Sequence, residues 1–183
     1  MKKVYYVFIV LNCILASCGT DYGFIDTGVS ETHENETMYE YFQTDLYNWT
    51  LVKRMIDKAG LKAMFNGEDP NYKEIMFLGP VDNSMRAWMW DNRYQTVEDM
   101  DAELCKKLIL RYVFNTVYER EKVPVKLSET GDGGVNLTGL AGNLVWFYSM
   151  KEPFLDNPNV MITSLELLMK DNGQKAYIAS SGI

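Results

Sequence analysis

The chain has 183 residues, with 18 Lys+Arg against 25 Asp+Glu, a formal charge of -7 and a pI near 4.8. That length suits one domain, and 47% hydrophobic and 13% aromatic residues with only 13 Gly and 5 Pro exclude a collagenous, linker-like or wholly disordered chain. The acidic balance argues against nucleic acid as a partner, because affinity for a phosphate backbone rests on neutralising it with Lys and Arg.

Residues 1–17 have the pattern of a signal peptide: Lys2 and Lys3 precede an apolar run from Val4 to Ala16, broken by Asn12. The run is shorter than the ~20 apolar residues that a spanning helix needs. Leu15-Ala16-Ser17-Cys18 resembles the lipobox of bacterial lipoproteins. The resemblance implies cleavage before Cys18, a diacylglyceryl group on its thiol and acylation of its new amine. Several acyl chains anchor a protein stably where one holds it only marginally. The expected location is a Gram-negative envelope, in the outer membrane because Gly19 rather than Asp follows Cys18. Loss of Lys2 and Lys3 takes the formal charge from -7 to -9. Cys13 leaves with the signal and Cys18 carries lipid, so Cys105 is left without a disulfide partner. Beside Leu104, Leu108 and Ile109, Cys105 is expected to be a buried small hydrophobe.

Residues 18–36 are polar, rich in Gly, Thr, Asp and Glu, and lack a helical apolar period, as suits a tether. The folded region is expected over residues 37–183. Thr37 can cap a helix carrying Met38, Tyr41 and Phe42, interrupted at Asp45 to Asn48. Leu51, Val52, Met55, Ile56 and Ala59 form the clearest amphipathic face, with Gly60 at its end. Leu61, Met64 and Phe65 make a second, shorter face before the turn at Asn66 to Pro70. Ile75 to Leu78 is a short apolar run closed by Gly79-Pro80, the pattern of a buried strand. Asp82 is the preferred cap, ahead of Ser84, for a helical stretch with Met85, Trp88 and Met89. Thr96 to Asp99 offers another start, and the spacing predicts a helix from Asp101 to Phe114. Beyond Tyr118 the pattern turns to strands: Val123, Val125 and Leu127 alternate, Gly131 to Gly134 is a turn, and Leu144 to Tyr148 and Met161 to Leu165 are strand-forming. Asn172-Gly173 is a hairpin signal before Lys175 to Ile178. Helices first and strands after predict an α+β domain.

The segment IMFLGPVDNSM at 75–85 resembles the first conserved box of fasciclin-type domains, Thr-Val-Phe-Ala-Pro-Thr-Asn/Asp followed by Phe. Pro80 and Asp82 are retained, both threonines are replaced, and Met85 takes the place of the Phe. Leu108 to Val113 resembles the downstream helix of that family, with Tyr112 where His is common, and Asn136 to Asn143 resembles a strand and turn of its β-wedge. The closing box is not found, and the sequence stops at Ala179 to Ile183, where it would begin. The resemblance implies a fasciclin-like α+β fold, helices packed against a β-wedge, that lacks its last strand. It implies adhesion or ligand binding without catalysis or cofactor, with a glycan or surface protein as partner. An unfinished sheet edge would permit oligomerisation. A structural subunit of a surface assembly is the alternative, and an enzyme built on carboxylates a further one.

Residue chemistry narrows the candidates. His33 is the only histidine and lies in the tether, so no metal or acid/base site centred on histidine is expected in the domain. Asp132 with Glu129 lacks the remaining oxygen ligands of a calcium loop, and Gly131 to Gly134 has no phosphate-loop context. Asp82 and Asn83 follow the Gly79-Pro80 turn and are candidate ligand contacts, although a turn and a cap explain them more simply. Trp88 and Trp90 cannot share one helix face, so one is expected to pack inward and the other to be partly exposed; an exposed ring could stack on a sugar, although core or shallow packing is the weightier reading for both.

Overall fold

The structure, a computed structural model, describes residues 36–128, 132–154, 157–171 and 175–178. The expected signal peptide, Cys18 and the tether up to residue 35 lie outside the described residues, as do Gly131 and the Asn172-Gly173 turn.

Helix α1 (Met38–Thr44) starts as the sequence predicts. Thr37 Oγ1 accepts from Glu40 N at 3.2 Å while the Glu40 carboxylate accepts from Thr37 N at 2.8 Å. This reciprocal box satisfies two of the free N–H groups at the helix start. The expected interruption at Asp45 to Asn48 shrinks to Asp45 alone. Asp45 ends α1 and caps α2 (Leu46–Lys58), its Oδ1 accepting from Asn48 N at 3.2 Å. Trp49 therefore lies within a helix and meets Phe42, the ring centroids 4.9 Å apart. Helix α2 buries Val52, Met55 and Ile56 completely. Gly60, at φ 70°, reverses the chain into α3 (Lys62–Phe65).

The apolar run at 75–78 contributes strand β1 (Met76–Phe77), followed by α4 (Asp82–Asp91). The helix predicted from Asp101 to Phe114 is shorter. Asp101 caps α5 (Ala102–Leu110) by accepting from Leu104 N at 2.7 Å, and Val113–Phe114 form β2, antiparallel to β1. Val113 and Phe114 fit a helical period, yet a strand partner outside their own stretch of chain wins because β structure is decided by packing more than by local preference. Thr96 opens a 3-10 turn at Val97–Asp99. Buried Cys105 lies within α5, and its burial pushes the thiol pKa up.

The β1-β2 ribbon separates two apolar clusters. Met76 lies opposite Phe114, and Phe77 opposite Val113. Successive strand residues face opposite ways. Accordingly Met76 and Phe114 belong to a cluster with Val145, Phe147 and Leu167, whereas Val113 and Phe77 pack with Phe42, Phe65 and Ile109.

Strands β3 (Val135–Thr138), β4 (Leu144–Phe154), β5 (Asn157–Met169) and β6 (Lys175–Ile178) form an antiparallel sheet in that order. The registers Leu137↔Val145, Val145↔Met169 and Phe147↔Leu167 collect one apolar face. On β4, Trp146 packs 4.3 Å from Tyr148, whose hydroxyl donates to the buried Glu166 at 2.6 Å. The alternation at Val123 to Leu127 yields no strand but isolated bridges, Val125 with Ser149 and Lys126 with Gly133. Strand β6 pairs with Leu165 to Leu168 alone, and no strand pairs with residues 157–164 on that side of β5 among the described residues. The result is a mixed α+β fold, with helices packed against two antiparallel sheets.

A Cβ on Gly79 would overlap the Phe77 ring, which has Phe65 at 5.2 Å and Phe42 at 5.7 Å as neighbours. Gly79→Ala should therefore destabilise by about 1–3 kcal/mol through overpacking, read as a lowered urea midpoint. Gly60→Ala meets no atom within 4 Å and should lose only the left-handed backbone preference, about 1 kcal/mol.

Candidate functional site

Helix α4 has Val81 at its N-cap, with no side-chain hydrogen bond there. Asp82 is thus not the cap that the sequence suggests. Its Oδ1 accepts instead from two backbone donors of α2, Leu51 N at 2.8 Å and Val52 N at 3.4 Å. The carboxylate is fully buried and has no surface to offer a ligand, so its expected contact role becomes an internal one. A charge in that position needs donors, since burial without them costs several kcal/mol. Oδ2 accepts no hydrogen bond among the described residues and has Arg86 Nη2 at 3.8 Å. Arg86 also donates from Nη1 to Asn83 Oδ1 at 3.1 Å. Asp82 and Asn83 therefore both act on Arg86, one turn further along α4.

The two tryptophans divide as their spacing predicts. Trp88 is half-buried and stacked on Tyr94, the centroids 6.0 Å apart and the planes 12° from parallel. Trp90 is 83% exposed. It lies one turn after Arg86, on the same side of the helix.

The end of α4 sets the next residues. Arg93 N donates to Trp90 O at 3.1 Å and Tyr94 N to Met89 O at 2.9 Å, the paired bonds of a Schellman motif. That motif needs a left-handed residue, and Arg93 fills it at φ 64°, the only positive φ outside glycine among the described residues. Helices α2 and α3 end in the same motif with Gly60 and Gly67 in the equivalent place, each at φ 70°. The Arg93 side chain has no hydrogen-bond or ion-pair partner among the described residues.

These residues border an open groove of about 850 Å³, lined by Leu51 and Met89 together with Arg86, Trp90, Arg93 and Tyr94. Exposed Asp91 and Gln95 complete its polar lining. Gln95 is held from behind, its N–H donating to Asp99 Oδ2 at 3.2 Å. Thr96 N donates to the same oxygen at 2.8 Å, and these bonds, those from Thr96 first, keep the Asp99 carboxyl below its ordinary pKa. Among the described residues no three His, Cys, Asp or Glu side chains converge as a metal site would require.

Of the ligand candidates, Asn83 and Trp90 are exposed, Trp88 supports Tyr94, and Asp82 is internal. Arg86 and Arg93 escape a reading of the sequence for turns and aromatics. The available signals were the four-residue step from Arg86 to Trp90 and an arginine just past a helix end, where glycine is usual. No protein-family model matches the chain, and no curated protein or solved structure matches it either.

Asp82→Ala removes the acceptor for Leu51 N and Val52 N and should destabilise by roughly 2–3 kcal/mol, measured by urea unfolding. Asp82→Asn keeps an acceptor oxygen and should lose about half as much.

Proposed function

We propose that the chain is a lipid-anchored, fasciclin-type protein of the cell envelope whose domain is a non-catalytic adhesion or ligand-binding module, with the groove beside Trp90 as its contact. The observation that carries the reading is the 83% exposure of the Trp90 side chain at a groove edge. Leaving so large an apolar side chain in water forgoes about 1.5–3 kcal/mol of burial, which a bound partner restores. Two of the segments that carry the family resemblance, 75–85 and 108–113, are also neighbours in space through the pairing of Phe77 with Val113. Anchoring rests on Leu15-Ala16-Ser17-Cys18. No helix among the described residues is long and apolar enough to cross a membrane.

Intact-mass analysis of membrane-extracted protein should find a species beginning at lipidated Cys18; a mature chain beginning elsewhere, or at Cys18 without lipid, overturns the anchor. On glycan and protein arrays the protein should show saturable binding, weakened at least tenfold by Trp90→Ala. Reproducible turnover of a small substrate, abolished by replacing one buried carboxylate, would overturn the reading in favour of an enzyme.

A second reading, a structural subunit of a surface assembly, is favoured by the extension of β5 beyond β6, which pairs with Leu165 to Leu168 alone among the described residues, while Thr163 O accepts from Arg120 Nη2 at 3.5 Å. A strand that extends past its neighbour can template another strand. Amide protection across 157–164 that rises with protein concentration, alongside a rise in mass by light scattering, supports this reading; a monomer with full protection there overturns it.

A further inference from the structure

Three features of the groove point to one ligand chemistry. Trp90 offers a broad apolar ring face to solvent, and the groove is open, without the deep enclosed apolar pocket that anchors a protein side chain. An open indole face suits a pyranose, whose axial C–H groups form an apolar face and whose rim is polar.

The second feature is Arg93. In three helix ends built alike, two hold Gly at the left-handed position and one holds Arg. The strain of a side chain at φ 64° is spent at a residue that borders the groove, its guanidinium free of any protein partner among the described residues. A planar guanidinium without an internal partner is suited to a carboxylate or sulfate from outside.

The third is the division of the other charges. Arg86 is shared with Asp82 and Asn83, whereas the Arg93 side chain has no such partner among the described residues and is the freer cation for a ligand. Asp91 and Gln95 offer acceptors for hydroxyl groups, and the charge of Asp91 directs an anionic substituent away from itself and toward Arg93. Single-stranded nucleic acid also combines rings with anions, but two arginines in a chain of net charge -7 do not make the continuous basic track that it needs.

We propose that this groove binds an anionic carbohydrate, with a sugar face stacked on Trp90 and a carboxylate or sulfate group on Arg93. This rests on the binding-module reading above and specifies its ligand.

The test is calorimetric titration of the detergent-solubilised full chain with four probes of matched length: an oligogalacturonate, a sulfated oligosaccharide, a neutral cello-oligosaccharide and an oligoglutamate. Arg93→Gly is the informative variant, because glycine is comfortable at φ 64° and the fold should keep or raise its Tm. Arg93→Gly and Trp90→Ala should each weaken binding of an anionic sugar at least tenfold, and Arg93→Lys should recover part of the loss. The neutral sugar should bind at least tenfold more weakly than the anionic one. Whichever anionic sugar binds more tightly tells carboxylate from sulfate recognition, and either supports the proposal. Equal binding of neutral and anionic sugars, unchanged by Arg93→Gly, overturns the anionic specificity while the module reading stands. Oligoglutamate binding more tightly than any sugar, and depending on Trp90, overturns the carbohydrate in favour of an acidic peptide. No binding of these probes, with saturable binding of another array ligand, overturns this inference alone; no saturable ligand of any class overturns the module reading with it.

Discussion

The β1-β2 ribbon is a strip with two residues in each strand, and both of its faces pack against apolar side chains. Met76 and Phe114 look toward the sheet, while Phe77 and Val113 look toward the helices. Each strand is too short to be stable alone. What holds the ribbon is its place as the wall common to two cores, and the chain's later course depends on that place. Gly79 passes under the Phe77 ring, where no Cβ fits, and Val81 then starts α4. The aromatic group around Phe77 fixes where α4 begins.

From that start, Asp82 reaches the side of α2 rather than the end of its own helix. Leu51 and Val52 lie well inside α2, beyond the first turn whose N–H groups have no partner within the helix. A carboxylate that takes donors from a helix interior binds that helix at one point of its length, which a sliding apolar contact does not do. The contact thereby sets the register of α4 against α2. It also places a buried negative charge 3.8 Å from Arg86, so that the guanidinium is held at the helix surface between Asp82 and Asn83. The groove is an indirect product of this buried contact, since Leu51 belongs both to its lining and to the donors of Asp82.

The other end of α4 works differently. The Schellman bonds demand a left-handed residue whatever its side chain, and the chain accepts Arg93 where Gly60 and Gly67 do the same work at less strain. Trp90 and Arg93 are three residues apart across that ending, so the turn that stops the helix also keeps the two beside one groove. Stability is given up at the backbone, and apolar burial is forgone at the indole, within one turn of each other.

Much of the helical half was legible in the sequence because its signals are local. The Thr37 box, the apolar face from Leu51 to Ala59 with Gly60 after it, and the opposite placement of Trp88 and Trp90 all arise from interactions within a few residues. The α+β class and the strand-forming character of Leu144 to Tyr148 were legible for the same reason, since period and composition are properties of the segment itself. Val113 and Phe114 were misread as helix because their partners, Phe77 and Met76, lie far back along the chain. Asp82 was misread as a cap because its donor Leu51 is 31 residues away and no spacing rule reaches that far. By itself the sequence determined most of the helices, the apolar face from Leu51 to Ala59 and the strand character of Leu144 to Tyr148, for these follow from bonds and periods inside the segment. Tertiary structure alone decided that Asp82 would be buried against α2 and that Arg86, Trp90 and Arg93 would share a groove, for these depend on which distant surfaces meet, and burial there outweighs local preference.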